Sequence, residues 1–312
     1  MTGSPPLSVV VVPVLGGPVL GSLLAHLSGE AALPPGTEVL VVGEGEAPRA
    51  VPPSIQVRLQ AAPPRSTTGL RRILGLRAAT ASVIAVLEDT VRPVAGWGLA
   101  VLGLHHAHLE ADAIGGTLAL SPGLSPAEAA LLALEYGTFL RQGEVSEPCD
   151  ALPESDMSFK RRALERTGVL EGEPEQRERV DMPALLSRRV GAVRCASSMA
   201  AICIGADPGR LRPRTRFREG WMHAHQDLPV GAFDHLADRL TRVVTAPVST
   251  VVRVRRGAVA LARSGLDTGP RSSLWPSLLW MGGAWALGET AGYLLGKGDS
   301  DPGGPPPVGR GG

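Results

Sequence analysis

Two adjacent carboxylates, Glu88 and Asp89, follow an apolar run that ends at Leu87, and Pro93 and Gly96-Trp97 come shortly after them. Acids at the C-terminal end of a strand stand where the loops of an α/β sheet form a ligand crevice. There they either hold a divalent cation through hard oxygen ligands or cap the next turn. Just upstream, Arg71, Arg72 and Arg77 share one small-residue helix. Near an anionic group their guanidiniums would donate charge-assisted hydrogen bonds; otherwise they form the solvated face of an ordinary helix. A second acidic run, Glu171, Glu173, Glu175, Glu178 and Asp181, is read either as a source of a general base or as a solvated face. His105, His106 and His108 lie near Glu110 and Asp112, with His105 and His108 at i,i+3, but they match no helical metal motif of known spacing.

The elements that must carry these groups alternate in type. Leu7 to Val14 is a continuous β-branched run, as in a parallel strand buried on both faces, and Gly16-Gly17-Pro18 breaks it before a helix over Val19 to Leu27. Thr37 to Val42 reads as a second strand ending at Gly43-Glu44-Gly45, and Ile55 to Leu59 as a weaker third. A helix over Arg71 to Thr80 then leads into the strand Ser82 to Leu87. This alternation argues for a doubly wound sheet.

The segment from Gly69 to Trp97 resembles the nucleotide-sugar-binding half of family 2 glycosyltransferases, where an Arg-bearing helix precedes a strand ending in a D-x-D-like motif, followed by Pro and Gly-Trp. Glu88-Asp89-Thr90 is that motif here. The resemblance implies a GT-A-like α/β fold, a doubly wound mixed sheet flanked by helices, with Pro13 and Glu44 at the loops under the nucleotide. Arg72, three before Gly75, falls at the family's Arg and would face the diphosphate. Leu152 to Leu164, LPESDMSFKRRAL, resembles the L-P-G-N-N-x-x-[FY]-[RK]-R-x-x-L element of the sugar and acceptor site. Asp156 is thereby a candidate ligand for a sugar hydroxyl, or the N-cap of a helix from Ser158 onward.

The same resemblance assigns the remaining chemistry. An inverting transferase needs one carboxylate that deprotonates the acceptor, set apart from the metal-binding pair. Glu178 best fits the helix that carries it, with Glu173 or Glu171 next, while Arg179 falls at the usual Asp position. Glu88 and Asp89 would hold Mg²⁺ or Mn²⁺. Thr90 at the third position of the motif and the lack of a His near Cys203 remove two of the family's usual metal contacts. Arg216, in a basic-aromatic segment running from Arg214 to Trp221, would neutralise the leaving diphosphate; the alternative is a basic surface helix.

Composition bounds these expectations. The chain has 312 residues, is 44% hydrophobic and carries a net charge of +1, so a large core is affordable and nucleic acid is not indicated as a partner. Three cysteines match no zinc or disulfide pattern, which points to a reducing compartment. No basic residue precedes the first apolar run, so it reads as a strand rather than a signal peptide. Ala246 to Gly265 mixes Val, Ala and Arg, and Leu274 to Leu295 holds three of the five Trp in a stretch about long enough to span a bilayer. These features give a catalytic domain over 1–245, membrane-associated helices over 246–298 and a Gly/Pro tail over 299–312. The expected protein is an inverting glycosyltransferase at the cytoplasmic face of the inner membrane, attached peripherally or by one C-terminal span. It would take a nucleotide-sugar donor and a lipid-linked, polysaccharide or small-molecule acceptor. The alternative is a relative that keeps the fold but binds or scaffolds without catalysis.

Overall fold

The computed structural model describes residues 4–44, 55–64, 66–140, 146–149, 151–171, 191–227, 236–264 and 274–295. They form two compact units: one from residues of 4–124, 136–207 and 262–264, the other from residues of 125–135, 208–261 and 274–295.

The first unit is built on a mixed sheet. In chain order its elements are β1 (Ser8–Val12), α1 (Gly17–Leu27), β2 (Glu38–Gly43), β3 (Gln56–Ala61), α2 (Thr68–Ala78), β4 (Val83–Glu88), β5 (Val91–Pro93), α3 (Trp97–Ala107), β6 (Ala111–Leu120), β7 (Ser146–Pro148), β8 (Asp156–Lys160), α5 (Arg161–Thr167) and β9 (Ala192–Cys203). Between β6 and β7 the chain passes through α4 (Pro126–Tyr136), almost all of which belongs to the second unit. Among the described residues the strand order is β3-β2-β1-β4-β8-β6-β9-β5, with β7 also on β9. β3, β2, β1 and β4 are parallel, and β8 enters antiparallel to both β4 and β6.

Burial explains why the strands form where they do. All five residues of β1 and the four apolar residues of β2 are buried, which is the uniform burial a central parallel strand demands. β3, at the sheet edge, is largely exposed. The stretch from Asp156 onward is a strand rather than a helix: β8 is buried along its whole length between β4 and β6, and helix α5 begins only at Arg161. Its β-branched and aromatic neighbours across the ladder, Ile84 opposite Phe159 among them, win over the capping potential of Asp156.

Helix α2 sets the height of the candidate site. Thr67 caps it by accepting from the Leu70 N–H at 3.2 Å, and Leu70, Ile73 and Leu76 turn inward. Gly75 lets the helix lie close on the sheet, because a Cβ there would run into Val10 and would stand 2.9 Å from the Val42 side chain. The helix is thereby held against β1 and β2.

The second unit is helical: α4, α6 (Pro213–Asp227), α7 (Leu236–Arg263) and α8 (Leu274–Leu295). α6 and α8 approach backbone to backbone. A Cβ on Gly288 would overlap the Phe217 carbonyl, and one on Gly220 would overlap the Trp285 carbonyl. Glu289 is buried in α8 and faces His223 of α6, with Nε2 to Oε1 at 3.7 Å. These observations correct the expected membrane placement, since no described helix is long and apolar enough to cross a membrane. The Trp-rich stretch instead uses its glycines to pack against α6, and Glu289, Ser277 and Thr290 keep it too polar to span a bilayer.

The seam yields a paired expectation. Gly288→Ala should lower stability by about 1–3 kcal/mol through overpacking. Gly283→Ala, where nothing lies within 4 Å of an added Cβ, should raise it by up to about 1 kcal/mol through helix propensity. Thermal unfolding of the two variants beside the parent checks both signs; equal Tm values would mean that the α6–α8 approach is looser than described.

Candidate functional site

β2, β1 and β4 run parallel, so their C-terminal ends emerge at one edge of the first unit. Val11 pairs with Val41 and Val12 with Glu88, which places Pro13, Glu44 and the Glu88-Asp89-Thr90 turn beside one another. The first turns of α2 bring Arg71 and Arg72 to the same edge. Arg71 donates from Nη1 to the Pro13 carbonyl at 2.9 Å and from Nε to Ser66 Oγ at 3.1 Å, and its Nη2 lies 3.4 Å from Glu44 Oε1. It remains partly exposed while tying the ends of β1 and β2 together.

Arg72 points the other way. It is 3% exposed, and its Nη2 binds both Glu88 Oε1 and Glu154 Oε2, the latter at 2.7 Å. Burial works to lower its pKa, but Glu154 and then Glu88 outweigh it and hold the guanidinium above its usual value. The group at the open edge is therefore Arg71, which the sequence reading left among the helix-face alternatives. Helix phase carries the signal: Arg72 adjoins Ile73 and lies four residues before Leu76, on the inward side, whereas Arg71 is turned about 100° away. Glu154 was also missed. It lies two residues before Asp156 in the element that β8 brings against β4, where the Glu88 N–H donates to the Ser155 carbonyl at 3.2 Å.

Asp89 is fully buried. Its Oδ1 accepts from the N–H groups of Val14 at 2.7 Å and Leu15 at 2.9 Å, and its Oδ2 from that of Gly16 at 2.6 Å. Gly16 has φ of +67°, a left-handed conformation that suits glycine and turns its N–H toward the same carboxylate. Three successive amides thus form an anion nest between β1 and α1, and Asp89 is the anion in it. Glu88 accepts from Arg72 and, at 3.2 Å, from Thr90 Oγ1. The acidic pair does not fit a divalent ion in this arrangement: the two carboxylates serve different partners, and among the described residues no group of three or more His, Cys, Asp or Glu side chains is placed to hold a metal.

Asp156 lies on the same strand pairing, opposite Leu87, but is fully enclosed. Oδ1 accepts from Trp97 Nε1 at 3.1 Å and Oδ2 has no hydrogen-bond partner. Burial pushes its pKa well above the usual carboxylate range, with the Trp97 N–H pulling weakly in the other direction. Burial thus favours its neutral form, and its carboxyl is enclosed in the core rather than presented at the edge. His105 is likewise buried, with Nε2 2.9 Å from Ser158 Oγ; burial, helped by the Lys160 charge, depresses its pKa to about 3 and keeps the ring neutral. His108 turns toward the exposed Glu110 instead, so these histidines form no shared site.

Arg216 belongs to the second unit. It is 1% exposed, reaches Glu135 Oε1 at 2.8 Å and Glu219 Oε2 at 2.5 Å, and lies 4.9 Å above the Trp285 ring. Its own unit supplies acceptors for it. Glu173 and Glu178 lie outside the described residues.

No protein-family model and no curated protein matches the chain. Among solved structures it is similar to the mannosyltransferase PcManGT from Pyrobaculum calidifontis in complex with GDP-Man and Mn²⁺, with a TM-score of 0.52 and 14% identity over 95% of this chain and 89% of that one. The chain has a GT-A-like fold. The likeness is one of architecture.

The buried Asp156 sets a pH expectation. Its folded pKa is raised, so the unfolded chain releases this proton first, near the ordinary carboxylate value of 3.8, and stability from this group is lost as pH rises above about 4. Asp156→Asn stays neutral at every pH. The Tm of the variant minus that of the parent should therefore grow as pH rises above about 4, at roughly 2–4 °C for each kcal/mol. A difference that stays flat across that range would mean that Asp156 is ionised in the folded protein.

Proposed function

We propose that the chain binds a nucleoside-diphosphate sugar at the edge formed by Pro13, Glu44, Arg71 and the Glu88–Thr90 turn, and transfers the sugar to a hydroxyl acceptor. One observation carries this reading: a partly exposed guanidinium, the amide loop after β1 and the acidic turn after β4 meet at the C-terminal ends of parallel strands, in a fold shared with an enzyme solved with GDP-Man. That edge is where an open α/β sheet binds ligands. Arg71 supplies the cation suited to a diphosphate, and Glu44 the acceptor suited to a ribose or base.

The proposed reaction inverts the sugar. A carboxylate removes the acceptor proton, the acceptor oxygen attacks the anomeric carbon, and the bond to the diphosphate breaks on the opposite face, leaving negative charge for Arg71 to meet. Glu178, with Glu173 next, is the proposed base, because the resembling helix puts an acid there. The acceptor is proposed as a lipid-linked sugar, a polysaccharide or a small alcohol. A second reading, a binding module without turnover, is favoured by the commitment of both Glu88 and Asp89 to protein partners.

Calorimetric titration with nucleoside diphosphates and their sugars tests the first reading. Binding should be saturable, and Arg71→Ala should weaken it by about tenfold, or 1.4 kcal/mol, without a matching loss of Tm. Absence of binding for every nucleotide in the panel would overturn the proposal.

Turnover tests the chemistry and separates the two readings. Glu178→Gln should lower kcat by a factor of about 10² or more with donor affinity unchanged, as expected of a group that acts on a proton in the transition state. Full turnover in that variant and in Glu173→Gln would remove this run from the mechanism, and binding without any turnover of sugar in the parent would favour the binding module.

A further inference from the structure

Glu88 and Asp89 occupy the position at which a metal-binding pair is expected, yet each is wired into the protein. For Asp89 to turn toward a cation, it would have to release the amides of Val14, Leu15 and Gly16, three donors held at 2.6–2.9 Å. Leaving such groups without an acceptor is costly when they are withdrawn from water. For Glu88 to turn, it would have to leave Arg72, which is 3% exposed, and a buried charge stripped of one partner is strongly unfavourable. The two carboxylates also face different elements, one the loop after β1 and the other α2. A divalent ion of the Mg²⁺ or Mn²⁺ kind demands near-octahedral oxygen ligation, and carboxylates already committed to different protein donors are poorly placed to supply it.

We infer that this acidic pair has exchanged metal ligation for internal positioning: Arg72 is the resident cation of Glu88, Asp89 is the resident anion of the Val14–Gly16 nest, and binding of a nucleoside diphosphate at this edge needs no divalent cation. The inference rests on the reading above that this edge takes such a ligand. Asp89 acts through the loop it holds. That loop begins at Pro13, whose carbonyl accepts from Arg71, so the carboxylate fixes the backbone against which the edge guanidinium is set. Arg71 supplies positive charge that a metal would otherwise provide to the ligand. Thr90 completes the exchange, since its hydroxyl donates to Glu88 at 3.2 Å at the position where a third acid would serve an ion.

The experiment uses the full chain in two arms. In the first, electron paramagnetic resonance follows the free Mn²⁺ signal as metal is titrated into parent and Asp89→Asn. The expected result is no stoichiometric site that depends on Asp89, and a one-to-one site present in the parent and lost in the variant would overturn the inference whether or not any nucleotide binds. In the second, GDP and UDP are titrated by calorimetry in EDTA and in Mn²⁺. Affinity should agree within about twofold between the two conditions, and Asp89→Asn should weaken it by about tenfold in both. Gly288→Ala, outside the edge, serves as the control for lost stability and should leave nucleotide affinity unchanged. A gain of tenfold or more with Mn²⁺ that Asp89→Asn abolishes would overturn the inference. If Asp89→Asn does not fold, Glu88→Gln replaces it in the metal arm, with the same two outcomes. If neither nucleotide binds in either condition, the proposed ligand fails while the metal arm still decides the role of the acids.

Discussion

Three consecutive backbone amides at the end of the central strand require an acceptor, and the carboxylate of Asp89 supplies it from the next strand over. Almost every other feature of the sheet edge follows from that contact. It closes the loop after β1 onto the end of β4 and lets Gly16 take its left-handed turn into α1. Pro13 is left with a carbonyl directed at Arg71. Because β1 is paired on both sides, a contact made at its tip is transmitted to β2 through Arg71 and Glu44 and to β8 through the Glu88 N–H and Ser155. Charge, backbone donors and strand order are solved together at one place.

The second polar centre of the edge obeys the same logic in reverse. Arg72 enters on α2 at a height set by Gly75, too deep for water to solvate it, and so needs anionic partners from the protein. Glu88 provides one from the end of β4 and Glu154 the other from the turn before β8, brought together because β8 inserts antiparallel beside β4. A buried arginine with two carboxylates is weak evidence for stability as such, since desolvation offsets much of the attraction. Its consequence is specificity of placement: α2 cannot slide along the sheet without stranding the charge.

Much of this was legible in the chain itself, and the reason is periodicity. The β-branched runs at Leu7–Val14 and Thr37–Val42 announce buried strands, and the acids at the end of the next strand announce the edge. What could not be read was partnership. Nothing local to Glu88-Asp89 tells that Asp89 meets amides 73 to 75 positions earlier, or that Glu88 meets an arginine rather than an ion. Asp156 shows the same limit, for the residue types around it allow a cap or a sugar ligand until β4 and β6 enclose it. Arg71 and Arg72 are different: the turn of the helix already separated them, and the apolar stripe through Ile73 and Leu76 gave the phase.

The helical unit shows how one composition serves two environments. Tryptophans, small residues and leucines over a bilayer's length describe a membrane helix and a tightly packed interior helix equally well, because both must hide apolar surface and both allow close helix contact. The discriminating residues are the polar ones. Glu289 is buried with His223 facing it, and the Trp285 ring has the guanidiniums of Arg216 at 4.9 Å and Arg253 at 4.7 Å from its centroid. Burial lowers the pKa of Arg253, and the charge of Glu289 offsets part of that effect. A lipid-facing helix would have no counterpart for these charges, whereas a bundle of α4, α6, α7 and α8 supplies acids on Glu135, Glu219 and Glu289. The aromatic ring at the centre is therefore better understood as a cation platform inside a protein than as an anchor in a bilayer.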